Sequence, residues 1–198
     1  MKKWLPIIVI VALVFIIFRW GVGISNTMVE MNGNAQKQWA NVESAYQRRS
    51  DLIGNLVKTV QGAADFERGT LKDVIEARAK ATSVNIDASN LTAENMAQFQ
   101  EAQSGLSSAL SKLLVSVERY PDLKANQNFL ELQSQIEGTE NRINVERNRF
   151  NDVAGNYNIY IKKFPNSFIA GFGGHQPMTL FKAEKGAEKA PEVEFNFK

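Results

Sequence analysis

The chain has 198 residues, with 23 Lys or Arg against 21 Asp or Glu, a formal net charge of +2, one His and no Cys. Zero cysteines exclude disulfides, thiol catalysis, cysteine metal sites and a lipid-attached lipoprotein, and the lone His175 excludes a histidine-rich metal site within one chain. The basic spots Arg48-Arg49, Arg147 with Arg149, and Lys162-Lys163 all have acidic neighbours, so they read as solvated helix faces and not as a stripe that binds nucleic acid.

Met1-Lys2-Lys3 leads into an apolar run from Trp4 to Phe18, with no charge until Arg19. As a helix this run is roughly 22 Å long, and extension through Ile24 gives roughly 31 Å, enough to cross a hydrocarbon core of about 30 Å. Arg19 then lies near the end of the span, where its head reaches the headgroups. Trp4 and Trp20 sit at opposite ends, as interfacial indoles do, and Pro6 falls in the first turn, where its missing N–H costs little. Residues 1–24 are therefore read as a transmembrane anchor, with Trp4, Leu5, Ile8, Leu13, Phe15, Phe18 and Trp20 as its lipid-facing residues. A cleaved signal peptide is the competing reading, with Lys2 and Lys3 as its basic end and small-x-small sites at Gly21-Val22-Gly23 or Gly23-Ile24-Ser25. Arg19 and Trp20 make a poor approach to such a site, which favours the uncleaved anchor. Lys2 and Lys3 before the span, against Arg19 and Lys37 after it with Glu30 between, place the N-terminus in the cytoplasm and the body in the periplasm.

The remaining residues suggest one domain, a helical bundle over 25–165. No proline occurs from Ser25 to Ser83, and Trp39, Val42, Tyr46, Ile53, Leu56, Val57, Val60 and Ala64 recur at helical spacing. After a polar bend near Phe66 to Thr70 the pattern resumes at Leu71, Val74 and Ile75. One long helix is expected, continuous with the anchor or interrupted near Gly62 or Gly69. Thr82 to Asn90 is a loop by composition. Thr92 is an N-cap candidate for a second helix to about Glu118, striped by Met96, Phe99, Leu106, Leu110, Leu113, Leu114 and Val117, and Tyr120-Pro121-Asp122 stops it.

A third helix is expected from about Asn126 to Lys163. Phe129, Ile136, Ile143, Phe150 and Tyr157 fall seven apart, and Leu132, Val153 and Tyr160 follow the register. The fold class is thus all-α: an N-terminal transmembrane helix followed by an elongated antiparallel bundle of long helices. Thr139, Glu140, Glu146 and Arg147 interrupt the seam. They are read as seam-edge residues with solvated heads, the alternative being a buried ion-pair cluster that fixes register, or a second interface. Residues 166–198 form a glycine-rich, aromatic loop, Asn166 to His175, and a tail carrying Met178, Leu180, Phe181, Val193, Phe195 and Phe197. Parts of the tail are expected to pack on the bundle and the rest to be mobile. Phe168 to Phe172 is expected to cap the bundle end, with contact to a partner or to lipid as the alternative.

Catalytic patterns are hard to find. No Walker motif or His-x-x-x-His occurs, and Gly171-Phe172-Gly173-Gly174 lacks the strand and helix of a phosphate loop. His175 has no persuasive nucleophile, and the carboxylate pairs Asp65/Glu67 and Glu137/Glu140 show no apolar pocket that would raise one pKa. No enzyme activity and no cofactor or metal is expected.

Three stretches resemble the LemA family of bacterial membrane proteins. They are Trp39-Ala40-Asn41-Val42-Glu43 with Tyr46 through Val60; Ala77-Arg78-Ala79; and Glu140-Asn141-Arg142-Ile143-Asn144-Val145-Glu146-Arg147-Asn148-Arg149-Phe150-Asn151, ending in Tyr157-Asn158 and Phe164-Pro165. The resemblance runs from the anchor to about residue 172, in order and spacing. One departure is Gly54, where the family usually has Pro. The resemblance implies a single N-terminal transmembrane helix and a helical bundle, but no reaction. Its links to envelope stress and to membrane proteases imply a scaffold or adaptor.

The first functional expectation is a non-enzymatic scaffold on the bacterial inner membrane, in contact with lipid, self-associating, and partnered by a membrane protease or another envelope protein. A sensor transmitting helix shifts is the second, though the few residues before Trp4 offer no cytoplasmic output if the body lies outside. A hydrolase using His175 or Glu140 is the third. The candidate interaction surface comprises Arg48, Arg49, Asp51, Asn55, Glu140, Arg142, Arg147, Phe168 and Phe172, with the segments Arg48–Asn55 and Glu140–Arg149 facing each other or a partner.

Overall fold

A computed structural model describes residues 4–62 and 66–182, apart from the side chain of Leu5. The described residues form six helices and no strand: α1 (Leu5–Gln61), α2 (Arg68–Ser83), α3 (Ala93–Val117), α4 (Pro121–Lys124), α5 (Gln127–Lys162) and α6 (Asn166–Gly173). The anchor and the first bundle helix are one continuous α1 of 57 residues, about 85 Å long, ending at Gly62. The interruption expected near Gly62 or Gly69 is at Gly62. The stripe residue Ala64, Asp65 of the pair Asp65/Glu67, the basic Lys2 and Lys3, and the tail residues Val193, Phe195 and Phe197 lie outside the described residues.

Local signals set the other boundaries. Thr92 Oγ1 accepts from the Asn95 N–H at 3.2 Å and Asn126 Oδ1 accepts from the Phe129 N–H at 3.1 Å, each satisfying an orphan amide of a first turn. Pro121, expected only to stop a helix, also starts the single turn α4, since its fixed φ suits a first helical position. α6 replaces the loop expected over Asn166 to His175. Its backbone is held by packing: Ala170 is buried, Ile169 is half-buried, and both meet the larger cluster formed with α1 and α5. Gly174, at φ 69°, ends α6 in the left-handed conformation that glycine adopts without a Cβ penalty.

α1 runs outward, α2 returns, α3 runs outward again and α5 returns alongside α1. Trp39 lies edge-on to Phe150 at 5.4 Å, and Gln38 donates to Glu146 and Arg49 to Glu140 along the same α1–α5 seam. The heptad residues Phe129, Ile136, Ile143, Phe150 and Tyr157 are all buried, as knobs-into-holes packing requires. Ile75, by contrast, is exposed.

The core falls into two clusters. The one nearer the N-terminal half of α1 holds Met28, Trp39, Tyr46, Phe99, Phe150, Tyr157 and Phe181; the farther one holds Ile53, Leu56, Val60, Val74, Leu106, Leu113, Phe129 and Ile136. Between them lies a layer of polar side chains. Phe66 against Tyr120 at 4.8 Å, and Arg119 with Glu67 at 2.9 Å, close the far end.

Candidate functional site

Every described side chain from Pro6 to Trp20 is exposed, and Ile24 is the first buried residue of α1. The bare stretch from Trp4 to Gly23 is about 30 Å long at 1.5 Å per residue, the thickness of a hydrocarbon core. Trp4, Ile8, Leu13, Phe15, Phe18 and Trp20 all lie on it, between 52% and 68% exposed. The side chain of Leu5 lies outside the described residues. Among the described residues one helix is thus long and apolar enough to cross a membrane, near the N-terminus, as single-pass anchoring requires.

The segments Arg48–Asn55 and Glu140–Arg149 do face each other, through an inner layer and not through an outer surface. Arg49, only 3% exposed, donates to Glu140 Oε1 at 2.6 Å, to Gln103 Oε1 at 2.6 Å and to Ser107 Oγ at 3.1 Å. Gln103 in turn donates to the Ala81 carbonyl at 3.3 Å. Arg49 is therefore not a surface residue: three helices and the end of α2 share it, and burying a guanidinium requires such partners. Glu140 is 38% exposed at its side chain, so one carboxylate edge meets water.

A second layer lies nearer the membrane. Glu146, 6% exposed at its side chain, accepts from Gln38 Nε2 at 2.8 Å and from Arg149 at 3.3 Å, with Arg142 at 3.9 Å. Thr139 is also buried and donates to its own helix at the Gln135 carbonyl, 2.8 Å away. The solvated-head reading of the seam thus fails for Thr139 and Glu146. Burial is tolerable because Glu146 is met by Gln38 and two arginines, and the Thr139 hydroxyl is satisfied by its own helix. Arg142 stays exposed. Arg147 is half-buried, with its guanidinium 4.7 Å from the Phe181 ring centroid.

Arg48, Asp51 and Asn55 do line a surface. With Glu43, Gln47 and Gln103 they border an open cleft of about 830 Å³ between α1 and the α2–α3 connection. Burial pushes the Glu43 carboxyl above its usual range, against a smaller lowering by the Trp39 indole N–H. Arg78 reaches over α1 from the other side, donating to the Ser50 carbonyl at 2.8 Å and lying 3.7 Å from Asp51.

A strap that was visible only in part from the sequence closes the membrane-side end. After α6 the chain runs without regular secondary structure from His175 to Lys182, and Met178 and Phe181 are buried. Asn158 both donates to the Met178 carbonyl and accepts its N–H at 2.8 Å. Asn151 does the same for Phe181, at 3.0 and 2.9 Å. Seven helical residues rise about 10.5 Å and three extended residues about 10 Å, so two asparagines a heptad apart match residues three apart on the strap. Phe181 then stacks on Trp39 at 5.6 Å.

Phe168 and Phe172, expected to cap the bundle, do not: they are 64% and 94% exposed. α6 is seated by its opposite face, on Ala170 and Ile169. His175 sits beside Asn32, Tyr157 and Met178 at the strap's start, far along the seam from Glu140, so the two are not brought together. Glu67 is paired with Arg119, and Glu137 accepts from Gln133 at 3.2 Å. Among the described residues no cluster of three or more His, Cys, Asp or Glu could hold a metal ion.

Sequence reasoning did not single out Gln38, Gln103 or Ser107, and named Asn151 and Asn158 only within the family-like segments, with no role in holding a strap. Asn151 and Asn158 carried a signal, since each directly follows a buried seam aromatic, Phe150 or Tyr157. Gln103 and Ser107 stood as polar residues beside the α3 stripe.

Residues 38–195 match the LemA family. Magnetosome protein MamQ 2 of Paramagnetospirillum magneticum is 27% identical over 185 residues, covering 85% of this chain and 68% of the relative. Magnetosome protein MamQ of Magnetospirillum gryphiswaldense is similar to the same extent, 27% over 185 residues with the same coverage of 85% and 68%. Protein LemA of Metamycoplasma hominis is 24% identical over 149 residues, 75% of this chain and 64% of the relative. The family match spans most of the chain, and the chain belongs to the LemA family.

Proposed function

With that membership as premise, we propose that the protein is a non-enzymatic, membrane-anchored helical scaffold or adaptor of the bacterial envelope. It crosses the inner membrane once, holds its bundle in the periplasm, and assembles with its own copies and with other envelope proteins, a membrane protease among the candidates. The observation that carries this is the continuity of α1: one 57-residue helix supplies both the bare span and the packed spine of the bundle. Such a helix sets the height of the bundle above the bilayer and couples the two rigidly.

Exposed Leu130, Val145 and Ile159 on the outer face of α5 supply apolar contacts for a neighbouring copy. The test is disulfide trapping in native membranes, which the absence of native cysteine makes clean. Val145→Cys and Ile159→Cys should each give a dimer on oxidation. Monomer at both positions and at Leu130→Cys would contradict a self-association through α5.

The second reading, a sensor transmitting helix shifts, is favoured by the same uninterrupted α1. It requires the bundle on the cytoplasmic side. Val115→Cys, on an exposed part of α3, discriminates the two. Labelling by a membrane-impermeant maleimide in intact spheroplasts supports the periplasmic scaffold, and labelling only after lysis supports the sensor.

A further inference from the structure

The exposed face of α6 is apolar and aromatic. Phe164, Phe168 and Phe172 are 80%, 64% and 94% exposed, and the Phe164 and Phe168 rings meet edge-on at 5.9 Å. Residues four apart share one face of a helix, so Phe168 and Phe172 form a single ridge, continued by Phe164. In water such a ridge is costly to leave bare, and it does not fold back onto the bundle.

Its level along the molecule says what covers it. Ile169, on the seated face of α6, points at Gly21 of α1: a Cβ on that glycine would stand 3.6 Å from Ile169 Cδ1. Gly21 directly follows Trp20 and lies two residues beyond Arg19, at the end of the bare stretch and one turn before Ile24. The ridge is thereby continuous with the apolar surface that α1 presents, at the depth where a bilayer's acyl chains give way to headgroups. Lys162 and Lys163, both exposed just before Phe164, add cations at the same end of the bundle. Apolar aromatics beside flanking lysines are the composition of an element lying in the membrane interface.

We propose that α6 is an interfacial helix: the Phe164–Phe168–Phe172 ridge seats in the boundary between headgroups and acyl chains of the bilayer that α1 crosses. It gives the bundle a second membrane contact, displaced sideways from the span, which fixes the bundle's tilt on the membrane. The inference rests on residues 4–23 being the span.

The experiment uses the full chain, which has no cysteine of its own, reconstituted in phosphatidylcholine–phosphatidylglycerol vesicles. Gly171→Cys places an environment-sensitive fluorophore beside the ridge, where a Cβ meets nothing within 4 Å. Leu13→Cys reports the span, and exposed Val115→Cys reports the far bundle. Nitroxide lipids labelled at the headgroup or deep in the acyl chain act as quenchers. The expected result is strong quenching at 171 by the headgroup nitroxide, strong quenching at 13 by the deep one, and neither at 115. Adding Phe168→Ser and Phe172→Ser should lower the quenching at 171 several-fold and leave that at 13 unchanged. Quenching at 171 no stronger than at 115, with 13 still quenched, overturns the interfacial helix and leaves the span intact. A blue-shifted but unquenched probe at 171 means a second copy covers the ridge, and also overturns it. No quenching at 13 overturns the span itself, and the interfacial helix with it.

Discussion

Arg49 donates to Glu140 across 2.6 Å, from the last third of α1 to the first half of α5, where one apolar cluster of the core gives way to the other. Arg49 is the buried partner and Glu140 the one with an edge in water. The two ends are therefore unequal. Glu140→Leu leaves a guanidinium stranded in the core and should cost about 3 kcal/mol, less whatever Gln103 and Ser107 recover. Arg49→Met leaves Gln103 without its donor while Glu140 turns to solvent, and should cost about 1–3 kcal/mol. The double variant should be destabilised by less than the sum, with a coupling of about 1–3 kcal/mol, read by thermal melts of helical circular dichroism in mild detergent. Strict additivity would show that the pair acts independently.

Asn151 and Asn158 each hold two backbone bonds of the strap, at about 1 kcal/mol per bond. Asn158→Ala should therefore weaken the strap by about 2 kcal/mol. In hydrogen exchange, the Met178 and Phe181 amides should lose most of their protection while the amides around Ile143 keep theirs. Equal loss along all of α5 would mean that Asn158 supports the helix and not the strap.

Gly54 lies under Arg78, with a Cβ there 3.2 Å from the guanidinium carbon. Four residues back, the Ser50 carbonyl already accepts from Arg78 Nε. A proline inside a helix ordinarily costs about 3 kcal/mol, in part because it orphans the carbonyl four residues earlier. Gly54→Pro should cost clearly less than that here, and the full amount in an Arg78→Met background. The melting temperatures of the single and double variants measure the difference.

Glu43 is held above the usual carboxylate range by burial, so its ionised form opposes folding. The sign follows: stability is highest with Glu43 protonated, falls as pH rises from its ordinary 4.5 through the raised value, and stays lower above it. Glu43→Gln should thus raise the melting temperature at pH 7 and lose its advantage at pH 4. An unchanged difference between the two pH values would contradict the titration.

Much of this architecture was readable because periodicity records burial. The five residues seven apart in α5 are buried because only one face of a long helix can meet α1. The cap Thr92, and the start of α5 near Asn126, were readable because helix-start signals are local. α6 was not: Gly171 and Gly173 signal a loop, and the packing of Ala170 and Ile169 against distant α1 overrides that signal. Nor was the strap, since Asn158 finds its partner 20 residues on and Asn151 its partner 30 residues on, in a segment with no periodicity of its own. The seam's polar residues announced themselves as interruptions. The burial of Glu146 was hidden because its partner Gln38 lies 108 residues away in sequence, and that of Arg49 because Gln103 and Glu140 meet it only once three helices are assembled.

The central claim, a self-associating scaffold standing on the membrane, is tested most directly by the mass of the full-length protein extracted in mild detergent, by size exclusion with light scattering. A self-associating scaffold gives a uniform assembly of several 22.1 kDa chains after subtraction of detergent. A single 22.1 kDa chain at every concentration tested would contradict it.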